Sequence, residues 1–164
     1  MKLLNPNTIY HSNHKLDNND MINKLYQLKE TDIGNKVSNV GGWQNSEILT
    51  KFKEFSPIVD LVKNKLNLDG VFNDGMWGNI SSTTHYNNLH IHGEIPSLWS
   101  GVYYLQTPLN SGDIIFYNNL SEIVKEYSPK VGDLLIFHSS LPHSVGVNNS
   151  NQDRISIAFN FEVK

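Results

Sequence analysis

The chain of 164 residues contains no cysteine. Disulfide frameworks and thiolate zinc sites are therefore excluded. A surplus of positive charge is missing as well: 13 lysines and arginines stand against 16 aspartates and glutamates, a formal net charge of −3. That balance gives no electrostatic drive toward nucleic acid or anionic lipid. No apolar run approaches the ~18 residues of a membrane-spanning helix. The opening "MKLLNPNTIYHSNHK" lacks an apolar core followed by a cleavage site. These absences lead to the expectation of a cytoplasmic protein with no nucleic-acid or membrane partner. Internal repeats and low-complexity linkers are absent too. One domain over 1–164 is expected, with a helical amino-terminal part at 1–70 and a strand-built core at 71–164.

In the first part, "NNDMINKLYQLKE" spaces Met21, Leu25 and Leu28 at helical intervals behind an Asn/Asp cluster able to cap the start. After the turn-rich "GNKVSNVGGWQNS" comes "EILTKFKEF", read as helical. Ser56-Pro57 then marks another helix start, with an apolar stripe of Ile58, Leu61, Val62 and Leu66. From residue 71 the pattern changes to short strands: "MWGNISS", "SGVYYLQ", "GDIIFYN", "GDLLIFH" and "RISIAFNFEV". Such punctuation suggests a sandwich, a jelly roll or a barrel. In the last strand Ile155, Ile157, Phe159, Phe161 and Val163 share an apolar face suited to receiving the helices. Arg154, Ser156, Ala158, Asn160 and Glu162 share the other.

Three of the seven histidines crowd into "HYNNLHIH". On a strand, His90 and His92 at i and i+2 aim two imidazoles at one point. His143, in "GDLLIFHSSLPHSV", is the candidate third ligand. Neutral imidazole is the commonest metal ligand near neutral pH, and a site with open positions suits a redox-active iron. Arg154 follows His143 by eleven residues. Its planar fork grips a carboxylate bidentately, and Ser156 on the same face adds a hydroxyl. A metal beside an Arg-x-Ser grip is what a dicarboxylic co-substrate requires.

The order H-x-H, "SGVYYLQTP", "SGDIIFYN", "GDLLIFHSSLPHSV" and "RISIAFNFEV" resembles the iron(II)- and 2-oxoglutarate-dependent oxygenases, nearest their small bacterial and phage members. The prolyl-hydroxylase catalytic domains are similar at a greater distance. The likeness runs from residue 77 to 163, and "GGWQNS" at 41–46 resembles the family's amino-terminal region. It implies a mainly β double-stranded β-helix (a cupin-like jelly roll) with the amino-terminal helices packed on the outer face of one sheet. It also implies Fe(II) as cofactor and 2-oxoglutarate as co-substrate, with a C–H bond of a small molecule or peptide hydroxylated and succinate and carbon dioxide released. Carried over residue by residue, His90, His92 and His143 fall on the metal ligands. Arg154, Ser156 and Tyr104 fall on the residues that hold the far carboxylate. Asn87 and Asn88 lie near co-substrate or substrate, Trp77 and Trp99 are packing residues, and His85 is a bystander. Loops 93–98 and 118–130 are expected to shape specificity.

Two departures from the wider superfamily stand out. The usual carboxylate ligand is replaced by His92, although "HGE" offers a competing frame in which His92 and Glu94 are the pair. His138 stands where relatives often carry proline; it is open to three readings, a surface residue, a support behind the ligands or an extra ligand, of which the first two are preferred. Two other readings remain: a three-histidine cupin dioxygenase that does not use 2-oxoglutarate, and a non-catalytic jelly-roll binding protein.

Overall fold

A computed structural model describes residues 5–66, 70–71 and 75–163. The chain begins with strand β1 (Tyr10–Asn13) and helix α1 (Asn19–Thr31), followed by the short strands β2 (Asn39–Val40) and β3 (Trp43–Gln44). Two 3-10 turns, Leu49–Lys51 and Lys53–Phe55, lead into α2 (Ser56–Leu66). Strands β4 (Gly70–Val71), β5 (Met76–Ser81), β6 (Tyr86–His90), β7 (Leu98–Gln106), β8 (Ile114–Tyr117) and β9 (Ile123–Tyr127) come next. β10 (Asp133–His138), β11 (His143–Val145) and β12 (Arg154–Val163) complete the order.

All pairings are antiparallel and form two sheets that close into a double-stranded β-helix. The larger runs β1-β10-β7-β12-β5-β3, with β4 also on β12; the smaller runs β2-β6-β11-β8-β9. Alternation builds two cores from one sheet. Ile155, Ile157, Phe159 and Phe161 point outward, where Met21 and Leu25 of α1 and Ile58 and Val62 of α2 cover them. On the inner face Val102 and Tyr104 meet Ile114, Phe116, Leu135 and Phe137 between the sheets. Each large side chain buried this way contributes about 1.5–3 kcal/mol. Helix α1 can approach closely because β5 carries Gly78, where a Cβ would sit 2.3 Å from Leu25 Cδ2.

Three local expectations are corrected. "EILTKFKEF" forms two 3-10 turns rather than an α-helix. The amino-terminal part also supplies three strands: β1 pairs with β10, β2 with β6, and β3 with β5. The α1 start has no side-chain bond from Asn18 to its own helix, because the Asn18 amide donates to Leu105 O (3.1 Å). The side chain of Leu66, placed in the apolar stripe, lies outside the described residues.

Candidate active site

His90 ends β6 and His143 begins β11, and the two are cross-strand partners in register. His92 lies beyond the strand, in the bend that follows, so its position does not come from strand alternation. The turn is fixed instead by backbone N–H groups of His92 (2.9 Å) and Gly93 (3.3 Å), both donating to Ser139 O. His138 extends the fastening: Nε2–H donates to Pro96 O (3.2 Å), while Nδ1 accepts from the Ser140 hydroxyl (2.7 Å). The buried His138 is thus a support for the 92–98 loop.

One ring nitrogen from each of His90, His92 and His143 lies within 4.8 Å of the others, a spacing able to hold a metal ion. Among the described residues no carboxylate joins this group, and Glu94 is exposed outside it. His90 Nδ1 sits 2.7 Å from Asn88 O and His143 Nδ1 sits 2.9 Å from Leu141 O. A carbonyl only accepts, so both Nδ1 atoms carry the proton and both Nε2 atoms present a lone pair, that of His90 at 3.5 Å from the Ser38 hydroxyl. Burial pulls all three pKa values down, to about 4 for His92 and about 3 for His143, with repulsion from His90 adding to both. The imidazoles are accordingly neutral at pH 7, the state a metal ligand needs. Three neutral nitrogens suit a first-row divalent ion such as Fe(II).

The histidines face a cavity of about 520 Å³ whose floor is the inner face of the larger sheet. Register sets the floor in rows. Ser156 on β12 opposes Tyr104 on β7 and Asn79 on β5, and Asn79 opposes Gln44 on β3. One step along β12 on the same face, Arg154 is 4 % exposed and donates to Ser111 O (2.6 Å), with longer contacts to Gly112 O and Gly146 O. Among the described residues no acidic side chain pairs with it. Burial lowers its pKa, and nearby Tyr104 acts in the opposite direction. Tyr104 is fully enclosed, which raises its phenol pKa, so it stays a neutral donor. A buried guanidinium offset only by carbonyl dipoles fits an incoming carboxylate.

The sequence-expected residues His90, His92, His143, Arg154, Ser156, Tyr104, Asn87 and Asn88 all line this one cavity. Trp99 is in the outer core, as expected, whereas Trp77 lines the cavity with its ring 5.5 Å from that of His92. His85 accepts a hydrogen bond from Ser82 N (3.0 Å) and does not reach the cavity. Neither 93–98 nor 118–130 lines it; 118–130 carries β9, the edge strand of the smaller sheet. The wall comes instead from residues 35–48, including Ser38, Gln44 and Ile48. Asn79 was passed over, although the alternation Trp77, Asn79, Ser81 against Met76, Gly78, Ile80 placed it opposite the apolar face.

A family model described as "Putative 2OG-Fe(II) oxygenase" matches residues 75–126 and 118–160, just over half of the chain. No curated protein matches the sequence. Among solved structures, a Pseudomonas putida prolyl-4-hydroxylase is similar at 15 % identity and a TM-score of 0.66, over 95 % of this chain and 92 % of that one. The viral collagen prolyl hydroxylase of Paramecium Bursaria Chlorella virus-1, solved as a 2-oxoglutarate complex, shares 16 % identity at a TM-score of 0.68, over 95 % and 96 %. HygX from Streptomyces hygroscopicus, solved with nickel and 2-oxoglutarate, shares 10 % at 0.69, over 95 % and 83 %. At such identities these structures speak for the double-stranded β-helix alone. The family match carries the assignment further, on the segment that holds all three clustered histidines and Arg154: the chain belongs to the 2OG-Fe(II) oxygenase family.

Proposed function

We propose that this oxygenase is a hydroxylase that works as one domain, with iron(II) held by His90, His92 and His143 and 2-oxoglutarate anchored by Arg154, Tyr104 and Ser156. The observation that carries the reading is the buried guanidinium of Arg154, which among the described residues has carbonyl neighbours but no acid and lines the same cavity as Tyr104. A dicarboxylate would supply the missing charge with one carboxylate and would leave its keto acid end for the metal that the histidines would hold. The neutral ligand set leaves the full dipositive charge of the metal to be offset by that anion. Iron(II) with 2-oxoglutarate and dioxygen supplies the oxidation: C1 leaves as carbon dioxide, one oxygen atom enters succinate and the other becomes the hydroxyl on a substrate C–H.

The protein's own contribution is placement. Asn88 O and Leu141 O hold the His90 and His143 protons on Nδ1, Ser139 O pins the His92 turn, and the inter-sheet core closes the end of the barrel behind the co-substrate. The substrate is a small molecule or a peptide that enters beside Trp77. A three-histidine dioxygenase without 2-oxoglutarate has no use for Arg154 and Tyr104 in these positions.

The test is an anaerobic titration with Fe(II) and 2-oxoglutarate, read by charge-transfer absorbance, followed by succinate release in air. Stoichiometric binding and oxygen-dependent succinate are expected. Binding of iron without any response to 2-oxoglutarate would move the protein to the three-histidine reading.

A further inference from the structure

With Arg154, Tyr104 and Ser156 given to the co-substrate, the other half of the polar row across the floor is unused. Gln44 and Asn79 are half-buried and line the cavity, and among the described residues neither carboxamide has a hydrogen-bond partner. Neighbouring Asn45 differs: its side chain is consumed by Gly78 N (2.6 Å) and Glu47 O. Two residues along β5, Trp77 lies on the same face beside His92, opposite Ala158 and therefore next to the apolar row of the floor.

We infer that Gln44, Asn79 and Trp77 form the substrate subsite, and that it takes an uncharged carboxamide or peptide group flanked by apolar carbon. The inference rests on the co-substrate assignment above. Its first support is charge. Among the described residues, the only titratable lining group besides the histidines, Arg154 and Tyr104 is the exposed Glu47, and no lysine or aspartate lines the cavity. A second acid would find no free cation, and a substrate cation would find no buried anion. Either would be desolvated without compensation. The second support is complementarity: each free carboxamide offers an N–H donor and a C=O acceptor, the pair that an amide group presents in reverse. The third is the surface on either side. Trp77 offers an apolar face next to the metal-binding histidines, where the reacting carbon must lie. Val37, Ile48, Leu89 and Ile91 line the cavity yet are 75, 40, 50 and 42 % exposed, so they offer apolar carbon to the part that stays at the mouth.

The probes are N-acetyl N-methylamides of leucine and glutamine, the same derivatives of aspartate and lysine, and isobutyramide as an amide without a peptide chain. Each is added to the Fe(II)-loaded protein with 2-oxoglutarate, and succinate release above the probe-free rate is measured. The neutral probes are expected to stimulate release and the charged pair not to. Stimulation by the N-acetyl compounds alone identifies a peptide as the source of the amide; stimulation by isobutyramide as well identifies a small amide. Gln44→Leu and Asn79→Leu are each expected to raise the half-saturating probe concentration about tenfold, the loss of roughly one hydrogen bond. In both variants the anaerobic 2-oxoglutarate titration should be unchanged. Equal stimulation by aspartate and lysine derivatives overturns the inference, as does no stimulation by any neutral probe. Weakened 2-oxoglutarate binding in either variant overturns it too, by moving that residue into the co-substrate site. A wild-type protein that does not bind 2-oxoglutarate fails earlier, at the co-substrate assignment, and takes the inference with it.

Discussion

Replacing Arg154 with methionine separates ligand binding from folding. The side chain is 4 % exposed, and its strongest contact is the 2.6 Å bond to Ser111 O. Exchange of a buried, acid-free cation for an apolar chain of similar length is close to neutral for the unliganded fold, because the desolvation cost of the charge is removed along with its carbonyl contacts. The effect on 2-oxoglutarate is different. Truncating one partner of a buried charge pair costs about 2–5 kcal/mol of binding, so about 3 kcal/mol, or roughly a hundredfold in Kd, is expected. Thermal melting with and without co-substrate reads both quantities. At a concentration near 100 times the wild-type Kd, the ligand stabilises by about 2.7 kcal/mol. For a domain of this size that raises Tm by roughly 5–11 °C. The same concentration is then near the Kd of Arg154→Met, so the rise falls to about 1–2 °C. Equal ligand-induced shifts in the two proteins would refute the role given to Arg154. A variant that melts far below wild type without ligand would refute the claim that the guanidinium serves the ligand rather than the fold.

The choice of ligand frame is tested by His90→Ala and Glu94→Ala, assayed for bound iron by metal analysis; the first should lose it and the second retain it. His138 acts through the loop it fastens. His138→Phe, which keeps the ring and loses both bonds, should weaken Co(II) binding about tenfold by calorimetry, and His138→Gln, which keeps a donor for Pro96 O, should recover most of it. Asp133 provides a pH test. Burial would raise its pKa, but bonds from His11, Asn13, Lys130 N and Tyr127 outweigh burial and hold it below the ordinary carboxylate value. Its folded pKa therefore lies below the unfolded one, so its stabilisation is present above about pH 4 and fades as pH falls through the folded value. Asp133→Asn should lower the urea midpoint at pH 7, and the gap to wild type should narrow at pH 3.

Much of the site was legible along the chain because its parts lie on strands, where a period of two sorts side chains without ambiguity. The alternation in "RISIAFNFEV" separated Ile155, Ile157, Phe159 and Phe161 from Arg154 and Ser156, and the structure puts the first set under the helices and the second in the cavity. Parity likewise placed Tyr104. For His92 the residue was found but the cause was not. His92 sits in a bend held by Ser139 O, a contact across 47 residues of sequence that no spacing rule anticipates. Trp77 reads by its type as a packing residue, although the alternation that carries Asn79 puts it on the same inner face, opposite Ala158.

The sequence alone determined the chemistry on offer: imidazoles and one arginine without thiols, a mainly β framework, and the family to which their order belongs. Those follow from residue type and strand period, which are local. Tertiary structure decided which nitrogens converge, that Glu94 is exposed outside the histidine group, and that residues 35–48 rather than 93–98 wall the cavity. It also left Arg154 buried with no acidic partner among the described residues. Those outcomes depend on sheet closure and cross-strand register, which join residues far apart in the chain.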